Sequence, residues 1–353
     1  MRKATKIGFI AVFCAAVGLT FPVFNIFSKQ LSMDSHENRL MTGLPQVLQS
    51  PLSQLPRSLD NFFVDNSPFR YQFVLLNAGI DYAVFGTSQS DQVLPGKDGW
   101  LFYKDGPTAA QPVANYQGLT DINDSPEALA QASAKLQILN DRLAENGCTL
   151  VLDLTPSKDR IYREYMPDGY PIVNEENRTD LLAGYLQSHT TVPVNWPYQE
   201  LRRQARLNPD RLLYYKTDTH WNSIGALYGL DGIFDALGLP ILQPGDYPVE
   251  PAGTTTGDMA NVAALYASLP PEQTYTVPGY ADLFAKDDRV VRVIGDSFSE
   301  YYMPYLEARF ATTWREHIDS FDPAVVEQPG CDILILEFNE RSLDKLLAIL
   351  DSI

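Results

Sequence analysis

Basic side chains are scarce in this chain of 353 residues, which has 27 Lys and Arg residues against 44 Asp and Glu residues and a formal net charge of −17. A nucleic-acid partner requires a basic face that neutralises phosphates, so the charge balance argues against one. The protein would also repel a strongly anionic polysaccharide unless its binding cleft were locally basic. A neutral glycan fits the charge better.

Histidine and cysteine are rare as well, with 4 His and 3 Cys residues in the chain. A hydrolytic zinc site needs about three protein ligands, and the sequence shows no His, Cys and Asp residues grouped at ligand spacing. We therefore expect neither a metal nor another cofactor.

The cysteines fall into two classes. Cys14 lies in an apolar N-terminal run, whereas Cys148 and Cys331 each open an apolar, strand-like segment. We expect the last two to be small buried apolar side chains. In an oxidising compartment, a disulfide between them is the alternative if the two strand ends lie together.

One short stretch combines a buried strand with a candidate nucleophile. Residues 290–294 form a β-branched run, Ser297 follows a Gly-Asp turn, and the spacing predicts a helix over residues 299–310. A serine on a tight strand-to-helix turn presents its hydroxyl at the carboxyl edge of a sheet, where helix N–H groups can face an oxyanion. The alternative is a purely structural turn in which Asp296 and Ser299 cap the helix. We assign Asp296 to turn and cap chemistry in either case.

A candidate base lies upstream, where Asp218 and His220 stand two positions apart before a predicted helix over residues 223–237. A serine hydroxyl is a poor nucleophile until an imidazole accepts its proton, and that imidazole needs an acceptor on its other nitrogen. Asp218, His220 and Ser297 can fill these roles as orienting acid, general base and nucleophile. The alternatives are a structural or metal-binding histidine and an acid that merely precedes a helix.

These two motifs, Gly-Asp-Ser-Phe-Ser at 295–299 and Asp-Thr-His-Trp-Asn at 218–222, resemble those of the SGNH-hydrolase-like O-acetyltransferases of bacterial exopolysaccharides, the AlgJ/AlgX type of alginate acetylation protein. Shorter similarities lie at residues 37–39, 93–103, 155–158 and 257–258. Typical SGNH hydrolases have the serine first and the Asp/His block last. The order here is Asp, His, Ser, as the acetyltransferase branch implies.

The resemblance implies an O-acetyltransferase that passes acetyl groups through an acetyl-serine to hydroxyls of an exported polysaccharide. It also implies partners, namely a membrane-bound O-acyltransferase as acetyl donor and other exopolysaccharide machinery. Two alternatives remain open. A periplasmic carbohydrate esterase or deacetylase would transfer the acetyl group to water, and a non-catalytic secretion or assembly component would retain only the fold.

Three residues that follow predicted strands are further candidates for oxyanion or substrate binding. Lys158 follows the strand at residues 149–154, whereas Asn339 and Arg341 follow the strand at residues 331–338. Carboxyl ends of parallel strands meet at one edge of a sheet, where ligands bind. We expect the Ser297 backbone N–H to be one oxyanion donor and Asn339 to be a candidate for the second. Lys158 has a solvated surface charge as its alternative.

Strands and helices alternate through most of the chain, which predicts a parallel sheet. With the resemblance, we expect an SGNH-hydrolase-like three-layer α/β/α fold with a parallel central sheet, preceded by an N-terminal transmembrane anchor and a stalk. The predicted parts are a signal anchor at 1–29, a stalk and N-terminal extension at 30–105, and a catalytic domain at 106–353. An irregular insertion at 245–278 is expected to shape the substrate cleft.

The N-terminus predicts the location of the protein. Residues 1–6 are basic and residues 7–27 carry no charge. Such a run is long enough to span a bilayer, and its basic flank stays cytoplasmic. A cleaved signal peptide is the alternative, but bulky side chains continue to the end of the run. We expect an uncleaved anchor in the bacterial inner membrane with the catalytic domain in the periplasm.

Overall fold

The computed structural model describes residues 3–27, 42–65, 70–104, 111–119, 126–242 and 245–352. The chain divides into two compact units, one of Met1–Gln89 with Asn261–Ser268 and one of Ser90–Ala260 with Leu269–Ile353. The predicted limits at residues 29–30 and 105–106 lie outside the described residues and stay predictions. The sequence similarity at residues 37–39 lies outside them as well.

The smaller unit contains helices near the N-terminus: α1 (Lys3–Phe27), α2 (Leu44–Leu48), α3 (Leu55–Asp65) and α4 (Arg70–Ile80). Tyr71 of α4 stacks on Tyr266 with ring centroids 6.2 Å apart, so the segment 261–268 packs on this helix. Within the described ranges, the structure contains no helix whose length and apolar character together would allow it to cross a membrane. The predicted anchor stays a prediction.

The strands of the structure all belong to the larger unit. They are β1 (Val93–Pro95), β2 (Leu101–Tyr103), β3 (Thr149–Thr155), β4 (Val194–Asn195), β5 (Glu250–Thr255), β6 (Glu272–Thr276), β7 (Asp287–Gly295), β8 (Phe310–His317) and β9 (Ile333–Asn339). A five-stranded sheet has the order β4-β3-β9-β7-β8, and each neighbouring pair in it is parallel. The pairs β1–β2 and β5–β6 are antiparallel. The predicted parallel central sheet is confirmed.

Helices α5 to α13 follow along the chain. Their bounds are α5 (Pro112–Gln117), α6 (Pro126–Glu145), α7 (Lys158–Ile161), α8 (Arg178–His189), α9 (Tyr198–Leu207), α10 (Ser223–Ala236), α11 (Asp258–Val262), α12 (Met303–Arg309) and α13 (Leu343–Ser352). The helix predicted over residues 299–310 is shorter than expected. A 3-10 turn, Ser297–Tyr301, precedes α12, and β8 begins at Phe310.

Alternation along the strands divides the core into two layers, because successive side chains of a strand point to opposite faces. On one face, Val151 and Ile335 belong to a buried cluster that includes side chains of α9, α10 and α12. On the other face, Leu152 and Leu336 belong to a cluster with side chains of α6, α8 and α13. The sheet is therefore covered by helices on both faces, as the predicted three-layer α/β/α fold requires.

Candidate active site

The candidate nucleophile lies where β7 ends at the carboxyl edge of the sheet. Gly295, the last residue of β7, approaches its neighbours closely. A Cβ atom added there would lie 2.7 Å from Oε2 of Glu337 and 2.9 Å from Oγ of Ser299, so only glycine fits. The Gly-Asp-Ser turn therefore packs tightly against the neighbouring strand β9.

Ser297 opens the 3-10 turn, and Asp296 holds this turn in place. One Asp296 carboxylate oxygen accepts a hydrogen bond from the Phe298 N–H at 3.0 Å, and the other accepts from the Asn339 N–H at 3.0 Å. Asp296 thus has the cap role that the sequence predicts. The Ser297 N–H has no hydrogen-bond partner among the described residues, so it is free to donate to an oxyanion.

Arg315 on β8 supports the same turn from a third strand. Its Nε donates to Ser299 Oγ at 2.6 Å, and its Nη2 donates to the Asp296 carbonyl at 2.8 Å. Charge-assisted hydrogen bonds of this kind are stronger than neutral ones. The turn that presents Ser297 is therefore fixed by contacts with two neighbouring strands as well as by its own cap.

The structure brings the three predicted catalytic side chains together in one hydrogen-bonded chain. His220 Nε2 lies 2.7 Å from Ser297 Oγ, across 77 residues of sequence. His220 Nδ1 lies 2.6 Å from Asp218 Oδ1. Because an ionised carboxylate only accepts, Nδ1 carries the proton, and Nε2 is left to accept from the serine hydroxyl. This is the tautomer that a serine nucleophile needs.

Asp258 stabilises the segment that carries Asp218 and His220. Its backbone N–H donates to Asp218 Oδ2 at 2.9 Å. Its carboxylate accepts from the Thr219 N–H at 2.8 Å and from the Thr219 hydroxyl at 2.6 Å. The sequence comparison with the acetyltransferases includes Gly257-Asp258 but assigns it no role. The residue is remote in sequence, so its contact with the Asp-x-His segment is a product of tertiary structure.

The environment of Asp218 favours its charged form. Burial opposes the charge and acts to raise the pKa of this carboxyl group, but the hydrogen bond and charge of His220 and the N–H of Asp258 outweigh burial. The pKa of Asp218 therefore lies below its ordinary value, and the group is ionised at neutral pH. An ionised Asp218 stabilises the imidazolium that forms when His220 takes a proton.

Two aromatic rings flank the imidazole. The Tyr301 ring stacks on His220 with centroids 5.3 Å apart and an interplanar angle of 24°. The Phe298 ring lies 4.9 Å away at 51°. Both rings follow Ser297 within four positions, so the turn that carries the nucleophile also confines the base. Sequence reasoning missed these two residues, as it missed Thr219 and Arg315.

Lys158 is close to the triad, but its placement contradicts the predicted contact with substrate. It is 3% exposed. Its ammonium donates to the carbonyls of Tyr215, Lys216 and Asp218 at 3.1, 2.8 and 2.6 Å. An ammonium has three donors, and all of them are used. The alternative interpretation of Lys158 as a solvated surface charge is also excluded, because the side chain is buried. Lys158 positions the segment that carries Asp218.

Asn339 also differs from its predicted role as an oxyanion donor. It is fully buried. Its amide nitrogen donates to the Thr155 carbonyl at 3.0 Å, and its Oδ1 accepts from the Ser157 hydroxyl at 3.0 Å and the Arg341 N–H at 3.2 Å. The side chain is satisfied within the protein, so it joins the ends of β3 and β9 rather than facing a substrate.

Arg341 remains a candidate for substrate contact. Its guanidinium carbon lies 5.5 Å from the centre of the Phe298 ring and 4.9 Å from that of Tyr103. The side chain is half-buried, and it forms no hydrogen bond or ion pair with the residues that the structure describes. A cation held beside the nucleophile's turn with free donors is suited to binding an oxygen-rich ligand.

The side-chain ligand atoms of Asp218, His220 and Asp258 lie within 4.8 Å of one another, close enough to reach one cation. However, these atoms already have hydrogen-bond partners within the protein. Asp218 pairs with His220, and the Asp258 carboxylate accepts from Thr219. An acidic cluster satisfied in this way does not indicate a metal, and we propose none. The arrangement is that of a serine nucleophile with its general base and orienting acid.

Comparison with known proteins agrees with this chemistry. The family profile described as "SGNH hydrolase-like domain, acetyltransferase AlgX" matches residues 93–313. A probable alginate O-acetylase AlgJ of Pseudomonas putida is 26% identical over 243 residues, which are 63% of this chain and 58% of the relative. The corresponding protein of Pseudomonas syringae pv. tomato is 25% identical over 330 residues, 85% of this chain and 74% of the relative. The alignment with the P. putida protein thus spans less than two thirds of that relative's length.

Two solved structures align with most of the length of this chain. The O-acetyltransferase domain of Pseudomonas putida AlgJ aligns with 74% of this chain and 98% of its own, at 19% identity and a TM-score of 0.48. Bacillus cereus PatB1 aligns with 72% of this chain and 98% of its own, at 15% identity and a TM-score of 0.48. Since the family profile covers more than half of the sequence, this chain belongs to the SGNH hydrolase-like domain family of the AlgX acetyltransferase type.

Proposed function

We propose that this protein is an O-acetyltransferase that moves acetyl groups to hydroxyls of an exported bacterial polysaccharide through an acetyl-Ser297 intermediate. The observation that carries the proposal is the continuous hydrogen-bonded chain from Asp218 through His220 to Ser297. Membership of an acetyltransferase family selects acetyl transfer among the reactions that such a triad catalyses. The names of the relatives, alginate O-acetylases, support a polysaccharide as the acceptor.

In the first half-reaction, Ser297 Oγ attacks the carbonyl carbon of the acetyl donor while His220 Nε2 accepts the serine proton. The Ser297 N–H donates to the oxyanion of the tetrahedral intermediate. Asp218 stabilises the imidazolium. Collapse of the intermediate breaks the bond to the donor, whose leaving group takes the proton from His220, and the acetyl group stays on Ser297.

In the second half-reaction, a sugar hydroxyl gives its proton to His220 Nε2 and attacks the acetyl carbon. The Ser297–acetyl bond breaks, and His220 returns the proton to Ser297 Oγ. Water in place of the sugar would make the protein an esterase. The difference depends on how well the cleft excludes water from the acetyl-serine.

The proposal includes a location and partners. The uncharged run at residues 7–27, with its basic flank, is proposed as an inner-membrane anchor that leaves the catalytic domain in the periplasm. The acetyl donor is proposed to come from a membrane-bound O-acyltransferase, with other exopolysaccharide machinery as further partners. The support is the charge pattern of the sequence and the family resemblance.

The test uses the full chain, purified in a mild detergent, with 4-nitrophenyl acetate as donor and oligosaccharides as acceptors. Intact-mass measurement follows the protein and the sugar products. We expect an acetyl adduct on Ser297 that moves to the sugar and is absent from Ser297→Ala. Ser188→Ala, a change at an exposed serine of α8, is the matched control and should behave as the wild type does.

Each other outcome has a defined meaning. Hydrolysis of the donor that oligosaccharides neither divert nor inhibit would replace the transferase with an esterase. Equal inertness of the wild type and Ser297→Ala with every donor would leave a non-catalytic assembly component.

A further inference from the structure

A cavity of about 530 Å³ lies in the larger unit beside the triad. Four tyrosines line it: Tyr275, Tyr280, Tyr301 and Tyr305. The Thr276 hydroxyl and the Asp282 carboxylate also lie in its walls. Tyr275 and Tyr301 are half-buried, whereas Tyr280 and Tyr305 are buried and pack edge to face with centroids 4.9 Å apart. The cavity is therefore a pocket with rigid aromatic walls, which we name the tyrosine pocket.

Tyr301 connects the tyrosine pocket to the reacting groups. It lines the pocket and its ring stacks on His220 at 5.3 Å. A ligand that packs on Tyr301 therefore lies one aromatic ring away from the general base. A long acceptor could then place one of its hydroxyls at Ser297 while a neighbouring unit occupies the pocket.

The chemistry of the walls selects the kind of ligand. The faces of aromatic rings are electron-rich and attract the polarised C–H groups on the flat face of a sugar ring. Pockets that bind small ligands combine such apolar surface with a few polar groups that fix orientation. Tyr275 and Tyr301 supply the ring surface here, and Thr276 supplies an exposed hydroxyl.

The charge of the walls disfavours an acidic sugar. Among the described residues, no Lys, Arg or His side chain lines the tyrosine pocket, and Asp282 is its single charged side chain. A carboxylated sugar would meet the Asp282 carboxylate, and none of the described lining side chains is a cation that would offset the repulsion. Arg341 does not line the pocket. The formal net charge of −17 acts in the same direction at longer range.

We propose that the tyrosine pocket binds an uncharged pyranose ring of the polysaccharide acceptor, next to the ring whose hydroxyl receives the acetyl group. The inference rests on the proposed acetyltransferase function and adds the class of sugar to it. Its central residue is Tyr275, which contacts the ligand without touching the triad. Tyr275 lies on β6, in the insertion that the sequence predicts to shape the cleft.

A binding experiment tests the pocket without any catalysis. The full chain carrying Ser297→Ala is titrated by calorimetry with cellotetraose, mannotetraose and tetramannuronate. We expect the neutral tetrasaccharides to bind and tetramannuronate to bind at least about tenfold more weakly. Adding Tyr275→Ala should weaken neutral binding about tenfold through loss of the ring face, whereas Tyr275→Phe should restore it.

A matched control separates the pocket from general effects of removing a tyrosine. Tyr185 stacks on His189 of α8, away from the pocket walls. Tyr185→Ala should leave neutral binding unchanged. In acetyl transfer by the otherwise wild-type chain, Tyr275→Ala should raise KM for the neutral acceptor about tenfold and alter kcat much less.

The outcomes separate this inference from the proposed function. Equal or tighter binding of tetramannuronate, no binding of either neutral tetrasaccharide, or no effect of Tyr275→Ala would overturn the pocket while leaving acetyl-Ser297 chemistry intact. Conversely, if Ser297 is never acetylated but Tyr275-dependent neutral binding is found, the acetyltransferase proposal fails and the sugar pocket stands.

Discussion

At the scale of the residue, two carboxylates, those of Asp218 and Asp258, fix the position of His220. Asp218 Oδ1 accepts hydrogen bonds from both the ring Nδ1 and the backbone N–H of His220. The Asp258 carboxylate accepts from the backbone N–H of Thr219, the residue between Asp218 and His220. Asp218 Oδ2 faces a donor as well, the Asp258 N–H. Among the described residues, every hydrogen-bond partner of the Asp218 carboxylate is therefore a donor, which suits a residue that remains ionised.

The first prediction concerns Asp218→Asn. An amide must turn its own N–H₂ group toward either His220 Nδ1 or the Asp258 N–H, so one contact is lost in each orientation. We expect kcat for hydrolysis of 4-nitrophenyl acetate to fall by about 10⁴-fold, as when a triad loses its orienting acid. Asp235→Asn, at an exposed acid of α10, is the control. Retention of more than about a tenth of the activity would contradict the assigned role.

Lys158 shows how a buried charge can serve the site without touching substrate. Burial lowers its pKa to about 8 from an ordinary value of 10.5. Below pH 8 the ammonium keeps its three carbonyl partners in the segment before His220. Its burial still has a cost, because the charged form would be better solvated in the unfolded chain.

The second prediction follows from this lowered pKa. Between pH 8 and 10.5 the unfolded chain keeps the Lys158 proton that the folded protein has released. Unfolding then takes up a proton, so the contribution of Lys158 to the free energy of unfolding rises with pH. Relative to Lys158→Met, the wild type should gain on the order of 3 kcal/mol across this window. Denaturant unfolding at several pH values measures the difference, and parallel curves for the two proteins would contradict the prediction.

At the scale of the element, the site forms because parallel strands end at one edge of the sheet. β7 delivers the nucleophile turn, while β3 and β9 end beside it with Thr155 opposite Asn339. The segment before α10 supplies the base and is held there by Lys158, at the start of α7. Different elements thus supply the nucleophile and the base, and the contacts between these elements set the distances between the catalytic side chains.

The opposite ends of β3 and β9 bring two cysteines together. Thr149 pairs with Ile333, and the preceding thiols of Cys148 and Cys331 have their Sγ atoms 3.7 Å apart. Cys148 is buried and Cys331 half-buried. The expected small apolar side chains are thus neighbours, which meets the geometric condition of the disulfide alternative.

The third prediction is that a disulfide oxidant such as oxidised glutathione joins Cys148 to Cys331. Both thiols lose a proton and an electron, and the oxidant's disulfide is reduced to two thiols. In a Cys14→Ser background, mass spectrometry should show loss of two hydrogen atoms, and reduction should lower stability by about 2–4 kcal/mol. Cys331→Ala is the control. An unchanged mass under oxidant, with both thiols open to alkylation after unfolding, would show that the pair stays reduced.

At the scale of the whole molecule, charge and hydrophobicity are distributed unevenly along the sequence. Residues 7–27 carry no charge, whereas the chain as a whole has a formal net charge of −17. An acidic body keeps a protein soluble and repels polyanions. An uncharged N-terminal run with a basic flank instead favours a membrane. Within the sequence, the proposed location therefore depends on the N-terminal segment rather than on the acidic remainder of the chain.

The fourth prediction tests that segment. After expression in a Gram-negative host, the full chain should sediment with the inner membrane and resist a carbonate wash, because an apolar run of this length is stable in a bilayer. A chain that lacks residues 1–27 and carries a cleavable export signal should appear in the soluble periplasmic fraction. Recovery of the full chain in the soluble fraction would contradict the anchor, and an N-terminus shortened in the mature protein would indicate a cleaved signal.

The sequence alone determined the features that depend on neighbouring residues. Alternating strand and helix patterns predicted a parallel sheet, because buried strands and amphipathic helices have characteristic compositions and periods. The candidates Ser297, His220 and Asp218 could be selected because their chemistry is local: a serine on a strand-to-helix turn, and an acid two positions from a histidine.

Only the tertiary structure decided how residues far apart in the chain satisfy one another. Asn339 and Thr155 are 184 residues apart, and their hydrogen bond removes Asn339 from the candidate oxyanion donors. Lys158 finds its carbonyl partners 57 to 60 residues away, so it is a buried support rather than the expected substrate contact or the alternative surface charge. The physical reason is that a buried polar group must find partners wherever the fold provides them. Which partners those are depends on the packing of distant segments, and a local pattern of residues carries no record of it.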